Sequence, residues 1–179
     1  MVALPLSGQA DKNDPIATAP AFRDCDSTTA YTYCLRVQET IARPVTEVWP
    51  LVNRISNMPH FFPDFSYEST GSLRFAADQT YTVTYLPANA TGIYQILEIV
   101  PERRMVGKQL SGPLRKFKYD HQFRPAAITT QTISDETVYY TLPYGLLGRI
   151  ANFFIVKRRL KKVLLNAHKR LKDMAESLD

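Results

Sequence analysis

Over residues 65–142 apolar and polar residues alternate at every second position, and after Pro143 the interval lengthens to that of a helix. A period of two sends successive side chains to opposite faces of a strand, whereas a helical period gathers every third or fourth residue on one side. A chain that makes this change once, near its end, has an antiparallel sheet with one apolar face and a single long helix to cover it. The spacing predicts strands over 65–70, 80–86, 92–100, 104–110, 114–123 and 128–142, separated by Gly, Pro, Asn and Asp clusters. In the second of these, Tyr81, Val83 and Tyr85 share one face, while Thr80, Thr82 and Thr84 share the other.

A further strand precedes these six. The run YCLRVQETIARP alternates from Tyr33 to Ile41 and is ended by Pro44, which makes seven strands in all. VTEVWPLVNRISNMPHFFPDF then carries Val45, Val48, Trp49 and Val52 at helical spacing, with Pro50, Pro59 and Pro63 expected to break it into two short helices. Thr46 is expected to cap the first helix, and Ser56 or Asn57 to open the second. Across 146–178, Phe153, Leu160, Leu164, Ala167, Leu171, Met174 and Leu178 fall within one arc of a helix about 50 Å long. Arg158, Lys162 and Lys169 lie opposite. The class is α+β, a curved seven-stranded antiparallel sheet around the terminal helix, and such a sheet commonly leaves an interior space for a ligand.

Length and composition limit the alternatives. A chain of 179 residues, 45% apolar and 22% charged, suits one globular domain with a core sufficient without metals or disulfides. Residues 1–30 have three prolines and no hydrophobic period and are expected to be a flexible tail, leaving 31–179 as the domain. No apolar run is long enough to cross a bilayer and the N-terminus does not read as a secretory signal, so a cytoplasmic location is expected. Cys25 and Cys34 match neither a redox nor a zinc spacing and are expected as two reduced thiols, with a local disulfide as the alternative in an exported protein.

The net charge of +5 raises the possibility of nucleic acid, but residues 145–179 hold nine Lys/Arg and three Asp/Glu, a surplus of +6, leaving −1 elsewhere. These bases are not interleaved with aromatics, which argues against nucleic acid. Lys157, Arg158, Arg159, Lys161 and Lys162 form either a solvated helix face or a contact for an anionic membrane.

Orientation on the strands selects the site residues. In KFKYDHQF, Lys116, Lys118, Asp120 and Gln122 face solvent, which turns Phe117, Tyr119, His121 and Phe123 inward. With Val138, Tyr140 and Leu142 inward on the last strand, Glu136 and Ser134 are inward too, and a buried carboxylate needs a partner or a wet mouth. The hairpin is expected to put Glu136 near Phe117 and Tyr119, one or two residues from the level of His121. The expected lining is Tyr81, Val83, Tyr85, Phe117, Tyr119, His121, Phe123, Glu136, Val138 and Tyr140. His121 reads as a core histidine, a polar contact for a ligand, or, with Glu136, an acid/base pair. Trp49 reads as a packing anchor, and Phe61, Phe62 and Phe65 as either a lid or packing. His60 and His168 lie apart in sequence and no metal-binding motif occurs, so neither a metal nor a cofactor is expected.

The stretches TIARPVTEVWPLVNRISNMPHFFPDF, LSGPLRKFKYDHQF and VYYTLPYGLLGRIANFFIVKRRL, in this order, resemble the START / polyketide cyclase / birch-pollen-allergen-like (SRPBCC) superfamily from about residue 32 to 178. The pattern I-A-x-P-x-x-x-V-W before the first helix and Y-x-L-P-x-G-x-L-G before the last carry the likeness. It implies the helix-grip fold and a protein that binds lipids, quinones, isoprenoids or polyketides without a cofactor. The bacterial polyketide cyclase/dehydrase or coenzyme Q-binding-like branch is the most similar. Carriage or sensing of a hydrophobic molecule is the expectation. A cyclase or dehydratase, and a membrane-peripheral or protein-interaction module, are the alternatives.

Overall fold

The computed structural model describes residues 21–25, 28, 30–69, 71–128 and 130–178. Eight strands form one antiparallel sheet: β1 (Ala21–Asp24), β2 (Tyr33–Ile41), β3 (Phe65–Glu68), β4 (Thr80–Tyr85), β5 (Ala90–Val100), β6 (Arg104–Ser111), β7 (Lys116–Pro125) and β8 (Thr132–Thr141). Their order is β1-β2-β8-β7-β6-β5-β4-β3, so consecutive strands from β3 to β8 are hairpin neighbours and β2 closes on β8. Seven strands were expected. The eighth, β1, lies in the stretch read as tail and pairs Phe22 with Val37 and Asp24 with Leu35. Residues 1–20 of that stretch lie outside the described residues.

β1 also corrects the cysteine reading. Its pairing brings Cys25 beside Cys34 near the start of β2, and the two form a disulfide across a Cα separation of 5.3 Å. Motif spacing did not show this, because strand pairing decides which residues meet.

Between β2 and β3 the chain forms α1 (Val45–Val52), a short 3-10 turn and α2 (Met58–Phe61). Pro44 precedes α1 and no side chain caps it; Thr46, expected as the cap, lies inside the helix. Pro50 also sits within α1 without ending it, because it withholds only one backbone donor from a helix that stops two residues later. Asn57 stands before α2 as expected, yet its amide donates to the Leu51 carbonyl at 2.9 Å.

The terminal helix runs as α3 (Gly145–Ala151), a π turn at Asn152–Val156 and α4 (Lys157–Glu176). The π turn adds a residue to the repeat, and this alters the arc. From Leu164 the inward positions step back by fours through Leu160, Val156 and Asn152 to Gly148, so Asn152 is buried where Phe153 was expected. Phe153 is instead 70% exposed, and Leu178 is also exposed. Leu164, Ala167 and Leu171 hold the core positions read from the period. Lys172 of α4 reaches the buried Glu39 of β2 at 3.2 Å, tying helix to sheet.

Two apolar groups flank the interior. One joins α1, α2 and the end of α4 to β4, β5 and β6 through Trp49, Phe61, Ile96, Met105 and Leu171. The other sets Leu164 against Leu35, Val37, Val138 and Tyr140. Register shifts in the β5–β6 pair between Ile93 and Tyr94 and between Ile96 and Glu98 bend the sheet around the space between them.

Candidate ligand cavity

A cavity of about 510 Å3 lies between the sheet and α4, closed at one end by α2. A larger depression of about 900 Å3 runs along the β5–β6 turn beside Glu102, Arg103, Arg104 and Arg124, but neither the tyrosines of the interior nor His121, Glu136 and His168 border it. The interior space is therefore the chemically informative one.

Tyr81, Val83, Tyr85, Phe117, Tyr119, His121, Glu136 and Val138 all border the cavity. Phe123 and Tyr140, expected beside them, do not. Phe123 is packed edge-on against Trp49 and beneath the His121 ring. Tyr140 is fully buried, and its hydroxyl donates to Asn152 Oδ1 at 2.7 Å. The inward direction was right for both, but each is covered by a side chain from another element.

Residues outside the expected lining complete the wall. Phe61, Phe62 and Phe65 border the cavity while packing on one another and their neighbours. Val163, Ala167 and His168 come from α4, and Tyr67 and Tyr94 from β3 and β5. For the α4 residues a sequence signal existed, since His168 is next to Ala167 on the predicted apolar arc.

Tyr67, Tyr85, Tyr94 and Arg159 bring polar atoms to the lining, and five further polar side chains, Tyr81, Tyr119, His121, Glu136 and His168, line the wall as well. The Tyr81 and Tyr119 hydroxyls are 3.2 Å apart, and burial raises both pKa values, so both keep their protons. Gly107 lies opposite Tyr119 on β6, and a Cβ there would be 2.5 Å from the Tyr119 ring. The ring occupies the space that a side chain would need.

His121 and Glu136 are direct cross-strand partners. Phe117 faces Tyr140 and Tyr119 faces Val138, so the expected offset between Glu136 and the level of His121 is corrected to none. His121 Nε2 is 2.7 Å from Ser134 Oγ. His168 reaches the same place from α4, its ring centroid 5.3 Å from that of His121 and its Nδ1 3.8 Å from Glu136 Oε2. Nδ1 is 3.0 Å from the Leu164 carbonyl, which only accepts, so Nδ1 carries the proton and donates. His168 Nε2 is buried and has no hydrogen-bond partner among the described residues.

Burial dominates the ionisation of all three groups. It pulls His121 well below the ordinary histidine range and His168 down to about 4, which keeps both rings neutral near pH 7. It pushes Glu136 up to about 7, so that carboxyl exchanges its proton near neutrality. Among the described residues Glu136 receives no hydrogen bond, and its Oε2 lies 3.8 Å from His168 Nδ1. No motif spacing shows this cluster, which is assembled from β7, β8 and α4.

Outside the cavity, the helix start is bare. Tyr144, Leu146, Leu147 and Phe153 are 82%, 72%, 71% and 70% exposed, and Ile150, Phe154 and Ile155 are exposed too. Of the basic residues that follow, Arg158, Arg159, Lys161 and Lys162 are exposed. Arg159 also borders the cavity, and the Lys161 ammonium stands 4.3 Å over the Phe22 ring of β1. Lys157 is half-buried.

A sheet gripping a terminal helix around an apolar cavity defines the helix-grip class of ligand-binding folds. The family model described as polyketide cyclase / dehydrase and lipid transport matches residues 41–169, and the chain belongs to that family. Solved structures share the architecture at low identity. TTHA0849 from Thermus thermophilus superposes with a TM-score of 0.64 at 16% identity, covering 81% of this chain and 99% of that one. XoxI from Bacillus cereus gives 0.61 at 15% identity, covering 82% and 97%. Ara h 8.0201 gives 0.60 at 13% identity, covering 82% and 99%. No curated protein matches the chain in sequence.

Proposed function

We propose that this protein binds a hydrophobic small molecule, of lipid, quinone, isoprenoid or polyketide-like character, and carries or senses it. The supporting observation is the 510 Å3 cavity, whose wall is mostly aliphatic and aromatic and whose polar groups include Tyr81, Tyr119, His121, Glu136 and His168. Apolar contact supplies affinity at about 25 cal/mol per Å2 removed from water, and the polar cluster orients an oxygen of the ligand. Native mass spectrometry followed by organic extraction tests this, with an adduct released by solvent as the expected result. A protein that carries no apolar molecule and takes up no apolar fluorescent probe is not a carrier.

The same cavity with a reactive occupant makes a cyclase or dehydratase, in which Glu136, held at about 7, is the group placed to move a proton. Unchanged ligand affinity with abolished turnover in Glu136→Gln is the result that favours the enzyme. A second reading concerns the route by which the ligand enters. The exposed apolar surface of α3 and the π turn runs into Arg158, Arg159 and Lys162, the pairing of apolar and basic residues that suits an anionic lipid surface. Ile155, Arg159 and Leu160 border both this surface and the cavity, so a docked molecule would present its cavity to the bilayer. Vesicle co-sedimentation tests that arrangement.

A further inference from the structure

We propose that His121, Glu136 and His168 form a binding site for a divalent first-row transition-metal ion, with open coordination positions toward the cavity. One donor atom from each residue lies within 4.8 Å of the others. Metal–nitrogen and metal–oxygen bonds of about 2.0–2.2 Å put tetrahedral donors about 3.4 Å apart, so the atoms that lie within 4.8 Å of one another would close by about 1.4 Å at most.

The hydrogen bonds around the cluster match what a metal requires. A ligating imidazole normally donates its other N–H to an oxygen, which fixes its tautomer and aim. His168 does so through Nδ1 to the Leu164 carbonyl, leaving the lone pair of Nε2 buried and unpartnered. His121 has Ser134 Oγ on Nε2 at 2.7 Å, and with Ser134 accepting, the lone pair falls on Nδ1. Glu136, directly across from His121, adds a carboxyl without a hydrogen bond among the described residues. Once that carboxyl loses its proton, the cluster offers three acceptors, and no side chain within it donates a hydrogen bond to them. A ligand hydroxyl brings one proton and satisfies one acceptor, whereas a cation satisfies all three. Two imidazoles and one carboxylate select zinc, cobalt or iron over magnesium or calcium, which take oxygen donors.

The site goes beyond the carrier reading and does not depend on it, because the metal is tested without any organic ligand. The experiment is titration of untagged, chelator-stripped protein with Co2+, followed by visible absorption and by metal analysis after dialysis. One equivalent of Co2+, with ligand-field bands that Zn2+ displaces, is the expected result. Glu136→Gln and His168→Asn should each weaken Co2+ at least 100-fold, and Ser134→Ala about 10–100-fold through loss of the His121 orientation. His60→Ala, at a histidine outside the cluster, should leave binding unchanged. Wild-type protein that retains no Co2+ overturns the site, a conclusion that needs no variant to fold. Retention by Glu136→Gln and Ser134→Ala at wild-type affinity, with native circular dichroism, overturns it as well. Either failure leaves the apolar-ligand test standing.

Discussion

Gly107 shows how one absent side chain shapes the cavity. The Tyr119 ring lies where a Cβ would be, and its hydroxyl meets Tyr81 at 3.2 Å. Gly107→Ala should displace that ring, separate the two hydroxyls and lower stability by about 1–3 kcal/mol, the usual cost of overpacking. Urea unfolding and the affinity for an apolar probe check this, and a variant of wild-type stability would show that the ring is free to move. Glu136 and His168 invite a test by pH. Held at about 7 when folded against about 4.3 when unfolded, Glu136 keeps its proton where the unfolded chain has lost it. Its contribution is therefore full at low pH and declines as pH rises toward 7. His168, held at about 4 against an ordinary 6.5, does the reverse, its contribution being lost as pH falls from about 6.5 to 4. His121, also held low, adds to the second slope. Glu136→Gln removes only the declining slope. With chelator present, it should become more stable than wild type as pH rises from about 4.5 to 7, by something on the order of 3 kcal/mol. A difference that does not vary with pH in urea titrations would show that this carboxyl is not buried as described. The inward aim of His121 and Glu136 was legible in alternation. Their pairing with His168 was not, because it depends on the register of a hairpin and on the rotation of a distant helix.

At the scale of elements, the strands from β3 to β8, the two short helices and the terminal helix were all legible, since each has a sustained period and turn residues at its ends. Two local features depart from these periods. Counting at 3.6 puts Phe153 inward, and the π turn at Asn152–Val156 shifts that position to Asn152, where Tyr140 supplies a hydrogen-bonding partner. A residue inserted into a helix leaves no mark on hydropathy. β1 was missed because its four residues are too few for alternation to register, and with it went the disulfide. That bond closes a loop over a nine-residue separation, for which loop entropy gives about 2–3 kcal/mol of stability. Cys25→Ser should lower unfolding stability by that amount, and reduction with dithiothreitol should match it. Thiol titration of the native protein should find no free cysteine before reduction and both afterwards. Two reactive thiols in freshly prepared protein would restore the original reading of these residues. A persistent disulfide belongs to an oxidising compartment, so the same titration bears on the cytoplasmic location read from the sequence.

For the whole molecule, the arrangement to explain is an apolar surface left bare next to an apolar cavity. Tyr144, Leu146, Leu147, Ile150, Phe153 and Phe154 lie on one short stretch, although the interior behind it has room for apolar groups. Such a patch opposes solubility unless something covers it, and the basic residues that follow favour an anionic bilayer as the cover. No helix among the described residues is long and apolar enough to cross a membrane, so contact would be peripheral. The two contributions separate experimentally. Leu147→Asp and Phe153→Asp place charges at exposed positions, so folding should be unchanged while binding to vesicles containing phosphatidylglycerol is lost. Arg158→Glu and Lys162→Glu should weaken that binding at low salt. Each Lys or Arg near an anionic surface contributes about 1 kcal/mol, so the loss should be at least about fivefold per residue, and high salt should shrink the difference. Neutral phosphatidylcholine vesicles should bind wild type weakly and show no response to the charge reversals. If the aspartate variants bind anionic vesicles as wild type does, the bare surface is not a membrane contact. If instead they lose the vesicles but keep full affinity for an apolar probe in solution, the patch governs where the cavity is filled and the cavity wall governs what fills it.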